Sequence, residues 1–213
     1  MDDLFISAAN IVTEADLGAR HVGARFGRLD LTSQLVFQAV ESLDVSFKEH
    51  RPDRIGICLA AQTGSLATDL EFWSERDAVG GPSPTIFAYT LPSAAMGVIA
   101  IRHGITGPNL CLVGEDRVLD EARDMLRRGE VDACLCLSCH VVTQELGKML
   151  QAAPAARACA LFLQRMVRTQ SPASLTLHQS VRMQSSASLT LLQQNDRDIS
   201  SVCVALCAQN SAC

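Results

Sequence analysis

The distribution of apolar positions along the chain alternates between two periods. Leu4-Phe5-Ile6-Ser7-Ala8-Ala9 reads as a first strand. From Thr32 to Phe47 the apolar residues Leu35, Val36, Ala39, Val40, Leu43 and Phe47 recur at spacings of one, three and four, which predicts one face of a helix. Asp30, Thr32 or Ser33 can cap its start. Arg54 to Ala61 is a short continuous apolar run entered after Pro52-Asp53, as a strand buried on both faces would be. Gly64-Ser65 then turns the chain into a helical stretch over Leu66 to Trp73, and Gly80-Gly81-Pro82-Ser83-Pro84 is the clearest loop.

The second part of the chain repeats the alternation. Ser93 to His103 is rich in small residues and predicts a tightly packed helix ended by Gly104. Asn109 to Val113 is a strand candidate. Asp116 to Arg128 is a strong helix, with Val118, Leu119, Ala122, Met125 and Leu126 on one face, Asp116 as a cap, and Arg127-Arg128-Gly129 closing it. Val131 to Val142 predicts another buried strand, and Arg157 to Met166 one more after an Ala/Pro linker around Pro154. Such alternation argues for a layered α/β domain with helices covering a mixed sheet. Beyond Val167 the character changes. Gln170 to Gln179 is nearly repeated by Gln184 to Gln193, each copy alternating Ser or Thr with leucine, which predicts a hairpin or paired edge strands. The expected organisation is therefore an α/β domain over residues 1–166 and a β-hairpin-like extension over 167–213.

Composition narrows the function classes. Apolar residues make up 48% of the 213 residues and charged residues 19%, a globular rather than a disordered profile. The formal net charge of −5, without a basic run, argues against a nucleic-acid partner. Asp2 and Asp3 stand where a secretory signal carries positive charge, and the apolar-rich stretch Phe87 to Ile101 is too short to span a bilayer and contains Pro92. No membrane association is expected, and the nine cysteines, mostly inside apolar runs, read as reduced thiols of a cytoplasmic protein.

Neither a metal nor a cofactor is expected. Cys136-Leu137-Ser138-Cys139-His140 matches the pattern of covalent haem attachment, but it lies in an apolar strand rather than at a loop-to-helix junction. Zinc through Cys134, Cys136, Cys139 and His140 would need residues that a strand points to opposite faces. Trp73, the only tryptophan, reads as core or interface, and His103 beside Arg102 as a partner of a helix C-terminal dipole.

Several segments, in order, resemble the N-terminal half of β-ketoacyl synthases. Arg28 to Gln34 is similar to an "R-x-D-x-x-S" approach to the first long helix, and Gly56 to Trp73 to a strand–Gly-Ser–helix segment. Phe87 to Leu110 carries the most specific pattern, "F-x-x-x-L-P-x-A-x-x-G-x-x-A-I-x-x-G-x-x-G-P-N". Ala122 to Leu137 follows as in that family, so the resemblance spans roughly residues 3 to 166. It implies half of a thiolase-like fold, whose two similar halves normally form a five-layered core.

Two departures shape the functional expectation. In active ketosynthases a cysteine nucleophile sits on a sharp turn at the foot of a helix, where the helix dipole lowers its pKa. Here Val113, Gly114, Glu115, Asp116 and Arg117 occupy that elbow without a cysteine, and the chain enters the helix about four residues early. The histidines and lysine that the family uses on the donor belong to the second half; His140 and His178 have no matching context. The resemblance therefore implies a chain with no catalytic residues of its own, like the chain-length-factor partners of type II polyketide, polyene and fatty-acid systems. Its partner would be an active ketosynthase or a second copy, with an acyl carrier protein as a further partner. The interface would form along Asn109, Cys111 and Val113, with Ser93, Ala94 and Gly97 allowing close helix approach. The alternative is a small acyl-thioester enzyme, an acyltransferase or thioesterase, using Cys111 or Ser138 as nucleophile.

Overall fold

The computed structural model describes residues 4–17, 26–114 and 117–165, together with 198, 199, 201, 202 and 204. Among them are five strands and six α-helices, besides short 3-10 turns and a few helical residues near 200. In chain order they are β1 (Leu4–Thr13), α1 (Leu31–Glu41), β2 (Ile55–Ala61), α2 (Leu66–Ser74), α3 (Pro84–Phe87), α4 (Ala94–His103), β3 (Asn109–Val113), α5 (Val118–Arg127), β4 (Ala133–Val142), α6 (Gln144–Leu150) and β5 (Ala155–Arg165).

The strands form one mixed sheet in the order β1-β5-β4-β2-β3. β4, β2 and β3 run parallel, while β5 is antiparallel to both β4 and β1. The parallel strands are joined through helices, as parallel connections require. β2 is buried along its whole length and β4 from Ala133 to Cys139, so both read as unbroken apolar runs rather than alternating ones.

Two apolar layers sandwich the sheet. On the first face Ile57, Leu59, Leu135, Leu137, Cys139 and Phe162 pack with Leu35, Val36, Ala39 and Val40 of α1 and Ala95, Met96 and Ile99 of α4. On the second face Cys58, Ala60, Cys134, Cys136, Leu161 and Leu163 pack with Val118, Leu119, Ala122, Met125 and Leu126 of α5. Cys134 and Cys136 thus face away from Cys139, the strand alternation read from the sequence.

Local signals fix several helix ends. Asp30 Oδ1 accepts from the Ser33 amide at 3.0 Å, capping α1, and its other oxygen accepts from Thr68 Oγ1 at 2.9 Å, tying α1 to α2. Gly104 ends α4 in the left-handed conformation at φ 67°. Gly107 could not be another residue without movement, because a Cβ there would overlap the Ile55 carbonyl oxygen. This glycine brings the chain past the start of β2 and into β3.

Some expectations need correction. α1 ends at Glu41, and Phe47 stands on a separate 3-10 turn whose ring still packs on Phe162. Trp73 is 62% exposed with Arg76 over its ring, so it is not a core residue. The linker before β5 is in part a helix, α6, capped by Thr143 Oγ1 accepting from the Leu146 amide. β5 begins two residues earlier than expected, at Ala155. The duplicated segments at 170–179 and 184–193 lie outside the described residues, as do Glu115, Asp116 and His178. Ile199, Ser201, Val202 and Val204 are helical.

Candidate functional site

The elbow read from the sequence, Val113 to Arg117, lies at the end of β3. This strand has one neighbour among the described residues, β2, with Ile57 opposite Asn109 and Ala61 opposite Val113. The Ile57 amide donates to the Pro108 carbonyl at 2.9 Å, and the Gly114 amide to the Ala61 carbonyl at 3.4 Å. In a parallel ladder, alternate residues turn their backbone groups to opposite sides. Pro108, Leu110, Leu112 and Gly114 therefore bond to β2, and Asn109, Cys111 and Val113 direct their N–H and C=O groups away from β2, to an edge that no described strand covers.

Past Val113 the chain turns at Gly114, whose φ of 93° favours glycine. Arg117, exposed, occupies the position before α5 and makes no side-chain cap. Asp120 and Glu121 stand in the first turn of α5, where carboxylates complement the positive end of the helix. A thiolate would use that same end. No cysteine lies between Val113 and Arg117.

The thiols nearby are poor nucleophiles. Cys111 is half-buried in β3, its side chain packed against the first core, and burial raises its pKa. Cys58 and Cys134 lie with their sulfurs 3.7 Å apart inside the second core, and both are pushed up, Cys58 chiefly by its hydrogen bond to Cys134 and Cys134 chiefly by Cys136. Burial also raises Cys139. Ser138 is buried in β4, between Ala60 of β2 and Cys159 of β5. His140, two residues on, has its pKa lowered by burial and then by Arg157. Among the described residues no group of three or more His, Cys, Asp or Glu side chains could hold a metal ion. No helix among them is long and apolar enough to cross a membrane.

The residues expected at an interface fall on one side of the molecule. Asn109 and Val113 are exposed at the two ends of β3, Val113 by 61%. On α4, Ser93 just before the helix, Gly97 and Ile101 recur every four residues on an open face, and Ala94 is half-buried. A Cβ placed on Gly64 would touch both Val113 and Pro92, so the approach to α4 and the end of β3 are neighbours. Ser65 Oγ, donating to the Thr90 carbonyl at 2.7 Å, holds that approach against the start of α2. Sequence reasoning missed the exposed apolar side chains beside this region. Leu91 is 65% exposed and Phe87 62%, with the Phe87 ring against Phe72 of α2. Both lie within the Phe87 to Leu110 motif, where resemblance gave no information about exposure. Two cavities, of about 460 Å³ between α1 and the end of α4 and about 350 Å³ beside α6, do not include the elbow.

Comparison with known proteins bears on the fold and the family. No curated protein matches the chain in sequence. Among solved structures, a chain of "the ishigamide ketosynthase/chain length factor" is similar with a TM-score of 0.60 at 16% identity, over 80% of this chain and 64% of that one. A chain of the ketosynthase ApeO in complex with its chain length factor ApeC from Xenorhabdus doucetiae gives 0.60 at 14% identity, over 78% and 80%. A chain of a complex between a type II polyketide acyl carrier protein and its ketosynthase, AntDE:AntF, gives 0.62 at 13%, over 78% and 63%. The chain thus spans less than two thirds of the first and third of these. At such identities the likeness shows the fold, that of thiolase-like ketosynthases. The family model for the N-terminal domain of β-ketoacyl synthases matches residues 28–158, more than half of the chain. The chain belongs to the β-ketoacyl synthase family, through the N-terminal domain of that family.

Proposed function

We propose that this chain is a non-catalytic ketosynthase-like subunit that pairs with an active β-ketoacyl synthase in fatty-acid, polyene or polyketide biosynthesis. The observation that carries the reading is the conjunction at β3. An apolar edge strand with three outward-facing backbone positions leads into an elbow that has no cysteine. An open edge of this kind is a template for another strand and a hazard if left uncovered. Pairing of Asn109, Cys111 and Val113 with a partner strand would satisfy their backbone groups, and Ser93, Ala94 and Gly97 would let a helix of the partner come close. The structural relatives named as ketosynthase and chain-length-factor complexes support this role, and the one named with a carrier protein supports an acyl carrier protein as a further partner.

We read the missing nucleophile as a shortened elbow rather than a single substitution; α5 begins five residues after the strand ends. A cysteine introduced singly at any position from Val113 to Arg117 is therefore expected not to accept an acyl group. Incubation of the native chain with an acyl thioester, or with iodoacetamide, followed by intact-mass measurement, tests the non-catalytic reading. The expected result is no fast stoichiometric modification of one thiol. A single fast-acylating cysteine would overturn it.

A further inference from the structure

The two faces of the sheet are closed by different means. Five strands spaced about 4.8 Å apart make a sheet roughly 20 Å wide, and one helix with its side chains covers about 10 Å. The first face has α1 and α4 side by side. The second has α5, which lies against β2, β4 and β5. Yet Leu4 and Ile6 of β1, on the far side of that face, are 7% and 2% exposed. They share their core with two residues from the far end of the chain, Ile199 and Val202, both fully buried.

These two residues belong to a helical turn with its own polarity. The Val202 amide donates to the Asp198 carbonyl at 3.2 Å, and Ser201 Oγ to Asp198 Oδ2 at 3.1 Å. Ile199 and Val202, three apart, point into the core, whereas Ser201 and Val204 are exposed. The outward side of α5 has a different character. Asp124 and Arg127 are exposed and ion-paired at 3.7 Å, Asp120 and Glu121 are half-buried, and Arg123, paired with Asp120, keeps only 14% of its side chain exposed and is not part of that open side. Charged side chains spaced this way make a solvated face, not a seat for an apolar layer.

We infer that the helical turn at Ile199–Val202 is a strap that closes the β1 side of the second sheet face in cis, and that no second α/β layer stacks on α5. The half-fold thereby completes its own core, with the strap and α5 sharing the face between them. This inference goes beyond the pairing proposed for β3 and does not depend on it, because it concerns the opposite side of the sheet from α1 and α4 and is testable on the chain alone.

The thiols report on it directly. Cys58, Cys134, Cys136 and Cys159 lie on the second face and Cys139 on the first. Native protein is treated with iodoacetamide and each cysteine followed by peptide mapping, for the unaltered chain and for Ile199→Asp, Val202→Asp and the exposed-site control Ser201→Asp. Alkylation of Cys159 is expected to accelerate by roughly tenfold or more in the first two variants, with Cys139 and the control unchanged. An unchanged Cys159 in a folded Ile199→Asp protein would overturn the strap. Should that variant fail to fold, Ile199→Ala decides the same question: selective exposure of Cys159 supports the strap, and equal exposure of Cys139 and Cys159 contradicts it. For α5, a maleimide–polyethylene glycol probe is applied to Asp124→Cys. Complete labelling is expected, and protection of that thiol would overturn the solvent-facing assignment.

Discussion

β4 and β3 are written in the same language, short apolar runs that each contain cysteine, yet they occupy opposite situations. β4 is flanked by β2 and β5, and Ala133 to Cys139 are buried without a break. Among the described residues β3 has β2 on one side only; its end residues are exposed and its middle half-buried. A hydrophobic run therefore announces a strand but not its place in the sheet. In β4 the apolar side chains hold the fold together. In β3 the same chemistry is left partly uncovered, and an uncovered apolar edge is where a partner is wanted.

The sharpest way to break this comparison is to truncate the centre. Leu137 is fully buried in the first core, so Leu137→Ala should cost about 2–5 kcal/mol in denaturant unfolding. The edge should respond oppositely: Val113→Ala, at an exposed position, should change stability by less than about 0.5 kcal/mol while weakening association with a partner. If both variants lost the same stability, the two strands would not differ as described.

A pH titration sharpens the comparison between buried and open regions. His103 at the end of α4 has Nε2 3.2 Å from Glu41 Oε1, without hydrogen-bond alignment, and its ring lies against Phe47. Burial lowers its pKa more than Glu41 raises it, and burial lowers that of His140 too. Both imidazoles then take up a proton more readily in the unfolded chain than in the folded one. Their contribution to stability is full above the ordinary value of 6.5 and is lost as pH falls through the lower folded values. Urea unfolding midpoints should fall between pH 7 and pH 5, and His103→Gln should make that decline shallower. A midpoint that rose on acidification would contradict the sign.

How far the sequence revealed this molecule follows from the same contrast. The strands Ile55–Ala61 and Ala133–Val142 and the helix Val118–Arg127 were legible because burial on two faces, or on one helical face, writes a period into the residues. β1 was read only to Ala9, although it continues to Thr13. Its second half has half-buried Asn10 and Ile11 with exposed Thr13, and it is held by the long antiparallel register with β5. α1 stops at Glu41; Leu43 and Phe47 keep the apolar spacing of a helix while packing on the core from outside it. At the site, the absent cysteine was plain in Val113 to Arg117. The exposure of Leu91 and Phe87 was not, because exposure depends on what the neighbouring elements leave open. The outward direction of Asn109, Cys111 and Val113 needed the ladder to β2, which only the register supplies.

That ladder gives the most direct test of the central claim, that the edge of β3 is the pairing surface. The Cys111 amide points away from β2, so Cys111→Pro removes a donor from the open edge without breaking a bond inside the sheet. The chain and its Cys111→Pro variant would each be co-expressed with an active β-ketoacyl synthase from the same source and sized by chromatography with light scattering. The account predicts a complex for the unaltered chain and none for the variant, with the circular dichroism of the two chains alike. A Cys111→Pro chain that still assembles with the ketosynthase, or an unaltered chain that never does, would contradict it.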